Sequence, residues 1–222
     1  MILIMIFELI AIGLVVVFFV ILAWIVISFL FIRNIEKPSY EILKKTKNIE
    51  IRRYYPFIQA YVEVDGKNQK ESIYAGFRIL GDYIFGSNKD RSKISMTSPV
   101  QQELKESQKI AMTSPVMQEV KNSEKEKNLY LISFMMPKKY TLETLPIPNS
   151  SKIQFRVEES TMAVLKFKGN AGEKKIKRET DKLEKWLNEK EYIITGSVTY
   201  AFYNPPFSFP LLKRNEIMMK VE

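Results

Sequence analysis

The sequence predicts an α+β domain whose antiparallel sheet curls into a barrel of two similar halves, standing behind one transmembrane helix. Three observations carry this expectation. The chain opens with an uncharged apolar run long enough to cross a bilayer. Beyond it, segments follow in the order strand–strand–helix–strand–strand, and that order occurs twice. The two helical stretches each place a face at offsets 0, 4, 7 and 11, while the stretches between them alternate apolar and polar residues.

Taken in order, Leu9 to Ile32 is a run of 24 residues without a charge. At about 1.5 Å rise per residue, roughly 20 residues cross a hydrocarbon core of about 30 Å. A basic n-region and a small-residue cleavage site are both missing, which favours an uncleaved single-pass anchor over residues 1–33 rather than a removed signal peptide. Arg33, Lys37, Lys44, Lys45 and Lys47 crowd the far flank while the near flank has no basic side chain, so the domain is expected in the cytoplasm. A signal anchor that exports the domain is the alternative. Residues 34–47 are polar and basic with one proline, and read as a linker to a domain at 48–222.

Within that domain, "IEIRRYYPFIQAYVEVDG" (49–66) alternates as half-buried strands do, with Pro56 breaking the run. The stretch 68–86 predicts a helix with Ile73, Phe77, Leu80 and Ile84 on one face and Gly86 as its stop. A strand follows at 129–137, then two strands at 152–160 and 162–169 that read as a hairpin. A second helix over 173–190 puts Ile176, Thr180, Leu183 and Leu187 on one face. Segments 192–203 and 215–221 close the sheet.

Composition excludes several functions. The chain has no histidine and no cysteine, hence no disulfide, thiolate nucleophile or cysteine-held zinc or iron–sulfur centre. G-x-S-x-G, Walker A and G-x-G-x-x-G patterns are all missing. The adjacent Glu158 and Glu159 would face opposite sides of a strand and read as solvated surface. We therefore expect no enzyme, no catalytic residue and no metal site, with a hydrolase-like activity in the barrel groove as the alternative. All 34 Lys and Arg follow residue 32, against 24 acids once Glu8 is set aside, a surplus of +10. These charges are interleaved in runs such as "KNSEKEKN" and no nucleic-acid motif accompanies them, so no nucleic-acid partner is expected. A basic domain beside anionic headgroups accounts for the surplus.

One phrase occurs twice: "KISMTSPVQQE" from Lys93 and "KIAMTSPVMQE" from Lys109. A solenoid needs at least three units, so this is a duplication inside one fold. The two copies are expected as consecutive edge or hairpin segments, with Met96 and Met112, and Val100 and Val116, in equivalent pockets. Pro99 and Pro115 would withhold ladder hydrogen bonds. Packing and turn chemistry explain the phrase; lining a ligand groove with the methionines is the sharper alternative.

That phrase, with "IEIRRYYPFIQAYVEV", "GFRILGDYIFGSNKDRSKISMTSPV", "SFMMPKKYTLETLPIPN", "YAFYNPP" and "LLKRNEIMM", resembles the SOUL heme-binding protein family, most closely its prokaryotic-type members. The resemblance runs from about Ile49 to Val221. It implies a distorted antiparallel β-barrel of two pseudo-repeated halves flanked by two α-helices. It also implies a tetrapyrrole partner, heme or another porphyrin held non-covalently, on an open apolar face near the first helix of the domain and the late loop before the last strand. Carried to this chain, the binding residues would be Tyr74, Phe77, Arg78, Gly81, Phe207 and Lys213, with Phe85 and Phe209 beside them. Without histidine, iron ligation through that side chain is impossible, and Tyr, Met or Lys would have to serve. Some animal relatives carry basic residues where Tyr74, Asp82 and Ser208 stand here, which moves the search for propionate partners to Arg78, Lys213 and Arg214. For Arg214, pairing with Glu216 is the structural reading. The expected function is a membrane-anchored heme- or tetrapyrrole-binding protein that sequesters or delivers its ligand, held to the membrane through residues 9–32. A barrel for another small hydrophobic or cationic effector, and a scaffold without a ligand, are the alternatives.

Overall fold

The computed structural model describes residues 2–33, 35–66, 68–105, 128–205 and 207–222. It begins with α1 (Ile2–Arg33), whose stretch Ile4–Leu30 is long and apolar enough to cross a membrane. There follow β1 (Tyr40–Thr46), β2 (Ile49–Tyr54), β3 (Phe57–Gly66), α2 (Gln69–Ile84), β4 (Val100–Lys105) and β5 (Asn128–Met135). The chain continues through β6 (Gln154–Glu158), β7 (Thr161–Lys168), α3 (Glu173–Glu189), β8 (Thr199–Phe202) and β9 (Arg214–Lys220). All the strands join one antiparallel sheet in the order β1-β2-β7-β9-β8-β4-β5-β3-β6, curled into a half-barrel.

This order makes the two halves visible. One is β2-β3-α2-β4-β5 and the other β6-β7-α3-β8-β9. Their fourth elements, β4 and β8, meet in the middle of the sheet, from Val100 opposite Phe202 to Glu103 opposite Thr199. Each half lends its first strand to the other: β2 pairs with β7, and β6 with β3. The expected hairpin at 152–169 is therefore not one, because β6 and β7 part at Glu159 and join different neighbours. The exchange ties the halves together, since neither can leave without breaking three ladders: β2 with β7, β3 with β6, and β4 with β8.

The expected linker at 34–47 is also different. The Ser98 amide donates to the Glu36 carbonyl at 3.0 Å, and Tyr40–Thr46 is an edge strand paired with β2. Its exposed lysines guard an edge that would otherwise invite another strand. The fold thus starts almost where α1 ends.

Two cores sit between the sheet and its helices. Leu80 and Ile84 of α2 pack on Val62, Ile132 and Phe134, while Leu183 and Leu187 of α3 pack on Ile51, Leu165 and Ile217. All four residues expected on the inner face of α3 are buried. In α2 the inner face is rotated: Ser72, Gly76, Leu80 and Ile84 point inward and Phe77 moves to the margin. Gly76 explains the rotation. It lets the backbone of α2 lie against Ile132, where any Cβ would be 2.5 Å from the Ile132 side chain.

The first copy of the repeated phrase leads into β4, an inner strand rather than an edge. Ser98 is buried and its hydroxyl donates to the Tyr203 carbonyl at 3.1 Å, and Thr97 donates to the Met135 carbonyl. Val100 packs against the first core, but Met96 is exposed and fills no core pocket. The second copy, with Met112, Pro115 and Val116, lies outside the described residues.

Candidate functional site

The helix that the sequence singled out carries an open concavity on its outer surface. Asn68 caps α2, its side chain accepting from the Glu71 amide at 2.9 Å, and Gly86 at φ +111° turns the chain away after Phe85. Tyr74, Phe77, Gly81 and Phe85 follow one another along the outer surface at helical spacing. With Ala75, Arg78 and Asp82 they line an open groove of about 530 Å³. Tyr74 is 58% and Phe85 59% exposed, far more than ordinary core aromatics. Gly81 forms the floor, where a Cβ would touch the Phe77 ring at 3.7 Å and the Phe85 ring at 4.0 Å. Phe77 is held edge-on against Phe134, ring centres 5.3 Å apart, so its position is set by the sheet below. Arg78 brings a cation to the rim, and Asp82, one turn on, brings an anion.

Four of the six expected binding residues therefore share one surface: Tyr74, Phe77, Arg78 and Gly81. The structure does not bring Phe207 and Lys213 into that groove. They belong to the connection between β8 and β9 in the other half. There the Phe207 carbonyl accepts from the Trp24 indole, and Lys213 Nζ donates to Asn170 Oδ1 at 3.1 Å.

Another concavity lies inside the curl of the sheet, between the halves. It is only about 170 Å³ and polar, lined among others by Gln59, Gln101, Glu103, Arg156, Glu158 and Lys220. Glu158, expected on the solvated surface, is buried here and pairs with Lys220 at 2.7 Å and Arg156 at 3.5 Å; Glu159 faces out. Burial pushes the Glu103 carboxyl up, against the nearby cations Arg156 and Lys220.

Beside this cleft the interior is closed by an ion network that sequence reasoning missed. Arg52, fully buried, donates through Nη1 and Nη2 to both oxygens of Glu216 at 3.0 and 2.9 Å. It also donates to Glu50 at 2.9 Å and to the Tyr54 hydroxyl at 2.8 Å. Tyr203 donates to Glu216 at 2.6 Å, and Lys166 to Glu50 at 2.7 Å. Arg214 pairs with Glu216 at 2.5 Å, as the structural reading of that residue expects. Burial alone would raise both carboxyls. Hydrogen bonds from Lys166 and Arg52 hold Glu50 down, and those of Arg52 with the charge of Arg214 hold Glu216 down, so both stay below the usual range. The one available signal was the strict alternation of Glu50 and Arg52 with Ile49 and Ile51, which is equally the pattern of a strand facing solvent.

The family model for SOUL heme-binding proteins matches residues 35–108 and 100–220. Among solved structures, the chain is similar to the C-terminal domain of EcmrR, at 13% identity and TM-score 0.55, covering 82% of this chain and 98% of that one. It is also similar to a hydrolase from Listeria innocua, at 9% identity and TM-score 0.54, covering 81% and 94%. An uncharacterized conserved protein from Listeria innocua matches at 11% identity and TM-score 0.51, covering 86% and 95%. At such identities the likeness is one of fold. No curated protein matches the sequence.

Proposed function

Because the chain belongs to the SOUL heme-binding protein family, we propose that it is a membrane-anchored tetrapyrrole-binding protein whose ligand lies against the outer face of α2. The observation that carries this reading is the open aromatic groove over Gly81. Its volume of about 530 Å³ falls in the usual range of about 300–1,000 Å³ for small-molecule sites, and the inner cleft of about 170 Å³ does not. The fit is good for a flat macrocycle. Phe77 and Phe85 offer apolar faces, the missing Cβ of Gly81 leaves room between them, and Arg78 can pair a propionate at the rim. Asp82 works against a second propionate on its own side, which orients the ligand with its acidic edge toward Arg78. Tyr74 is the side chain of the groove able to approach a central metal.

On this reading the protein binds and transfers its ligand and carries out no reaction on it. Anchoring through α1 would hold the groove close to the bilayer into which porphyrins partition. The domain is placed in the cytoplasm, following the basic residues after α1.

The test is titration of the full chain in lipid nanodiscs with ferric heme and, separately, with metal-free protoporphyrin, against empty nanodiscs. A Gly81→Leu variant, which fills the floor of the groove, is titrated beside it. Saturable one-to-one binding of both pigments, lost in Gly81→Leu, is the expected result. Equal uptake by the wild type, the variant and empty discs would sink the reading. A second reading rests on the polar inner cleft, which would take a small cation near Glu103. Native mass spectrometry showing a co-purified non-porphyrin cation that Glu103→Gln abolishes would select it.

A further inference from the structure

We infer that the segment Phe207–Leu212, between β8 and β9, inserts into the lipid surface and seats the domain on the bilayer where α1 leaves it. This inference rests on α1 crossing the membrane.

The first observation is a set of contacts between the loop and α1. The Trp24 indole donates to the Phe207 carbonyl at 2.8 Å, and the Phe209 amide donates to the Ser28 hydroxyl at 3.0 Å. The Trp24 and Phe209 rings meet edge-on with centres 5.2 Å apart, and Ser28 is fully buried beneath them. These contacts set the depth of the loop. The apolar stretch Ile4–Leu30 has 27 residues, while about 20 fill the hydrocarbon. Centred in the bilayer, it places the domain-side boundary of the hydrocarbon near residue 27, between Trp24 and Ser28. The loop backbone bonded to those two side chains therefore straddles that boundary, the depth at which interfacial elements lie.

Hydrogen bonding supports the same placement. In lipid an indole N–H or a serine hydroxyl finds no water, so each needs a protein partner, and so does a loop amide or carbonyl. Here helix and loop satisfy one another. Nor does slack separate α1 from the domain: Glu36, three residues past the helix, is already hydrogen-bonded to Ser98. The domain cannot stand off from the surface that α1 enters.

The remaining face of the loop has the chemistry of a lipid contact. From Tyr203 to Leu212 the sequence holds no charge. Phe207 is 56% and Leu211 72% exposed to solvent, apolar surface without an evident use in water. Cations follow at once. Lys213 bonds Gly169 through its carbonyl and Asn170 through Nζ, and Lys168 and Lys175 meet at the same turn. A lysine cluster behind an apolar tip suits anionic headgroups.

The absence of cysteine makes the test clean, since a single introduced cysteine carries the only label. Full-length Leu14→Cys and Leu211→Cys variants are spin-labelled and reconstituted into vesicles of phosphatidylcholine and phosphatidylglycerol. Collision with oxygen, which concentrates in lipid, is compared with collision with a water-soluble nickel chelate. The inference expects oxygen to dominate at both positions. Oxygen at 14 with nickel at 211 would overturn the loop insertion and leave the anchor standing. Nickel at both would remove the anchor, and this inference with it.

Discussion

Replacing Gly76 and Gly81 by alanine, one at a time, sets helix propensity against packing within a single helix. Either change removes a glycine from a helix interior, worth about 0.5–1 kcal/mol. At Gly81 the new methyl would meet only the Phe77 ring, at 3.7 and 3.8 Å, and the Phe85 ring at 4.0 Å. These are ordinary contacts, so the propensity gain survives and stability rises by about 0.5–1 kcal/mol. At Gly76 the methyl would stand 2.5 Å from both Cβ and Cγ1 of Ile132, and 2.9 Å from Cγ2. Carbon atoms pack at about 3.5–4.0 Å, so α2 must lift off β5 by about 1 Å. Overpacking of this kind costs about 1–3 kcal/mol, and set against the propensity gain it leaves a net loss of up to about 2.5 kcal/mol. In a domain of this size 1 kcal/mol moves Tm by about 2–4 °C. Thermal unfolding of the full chain in nanodiscs, followed by circular dichroism, should therefore show Gly81→Ala melting about 1–4 °C higher and Gly76→Ala lower, by up to about 10 °C. Shifts of the same sign would refute the assignment of Gly76 to packing and Gly81 to an open floor.

Other predictions follow from the buried charges and the rim. Arg52→Met leaves Glu50 and Glu216 buried without their shared cation and should cost about 3–5 kcal/mol, read from the urea midpoint. The double variant Arg52→Met with Glu216→Leu should recover most of that loss, and failure to recover would show that packing, not charge, holds this region. Because Glu50 and Glu216 titrate below the usual range, their stabilisation is complete above about pH 4.3 and is lost as pH falls through their lowered values; unfolding midpoints from pH 7 down to pH 3 should show a steep acid limb that Glu216→Gln flattens. Glu103 has the opposite sign. Its raised value favours the protonated fold, so stability declines as pH rises through that value, and Glu103→Gln should abolish the decline. Arg78→Gln should weaken porphyrin binding by up to about fivefold, the scale of an exposed ion pair, and the difference should shrink in high salt. An unchanged affinity at low salt would remove Arg78 from the site.

How much of this was legible depends on which residues carried a one-sided pattern. Ile176, Leu183 and Leu187 face a core and their neighbours face water, so α3 reads directly from its period. The strand order also reads directly, and with it the two halves. Strand partners did not. Consecutive β6 and β7 look like a hairpin because nothing local records that β6 crosses to β3. In β2 the alternation of Ile51 with Arg52 misleads, because both faces are covered: one by α3, the other by the curl of the sheet itself. Tyr40–Thr46 reads as a linker since lysines on an edge strand and lysines in a linker have the same composition. In α2 the stripe was right in kind but turned, because one glycine, Gly76, decides which side of the helix comes closest to the sheet.

The ion network and the groove are connected by volume. A curled sheet of two like halves has its natural cavity inside the curl, where both halves contribute side chains. Here Arg52, Glu216, Tyr54 and Tyr203 occupy one end of that space, and Gln59 and Gln101 hydrogen-bond to each other across its middle. What is left is about 170 Å³, with Lys220 already neutralising Glu158. A macrocycle cannot enter without dismantling buried ion pairs that cost several kcal/mol each to break. A large flat ligand is thereby directed to the outer surface, where the described residues leave a groove open over Gly81. The filled interior thus supports the proposed site on the convex side of a fold whose concave side would otherwise be the obvious place to bind.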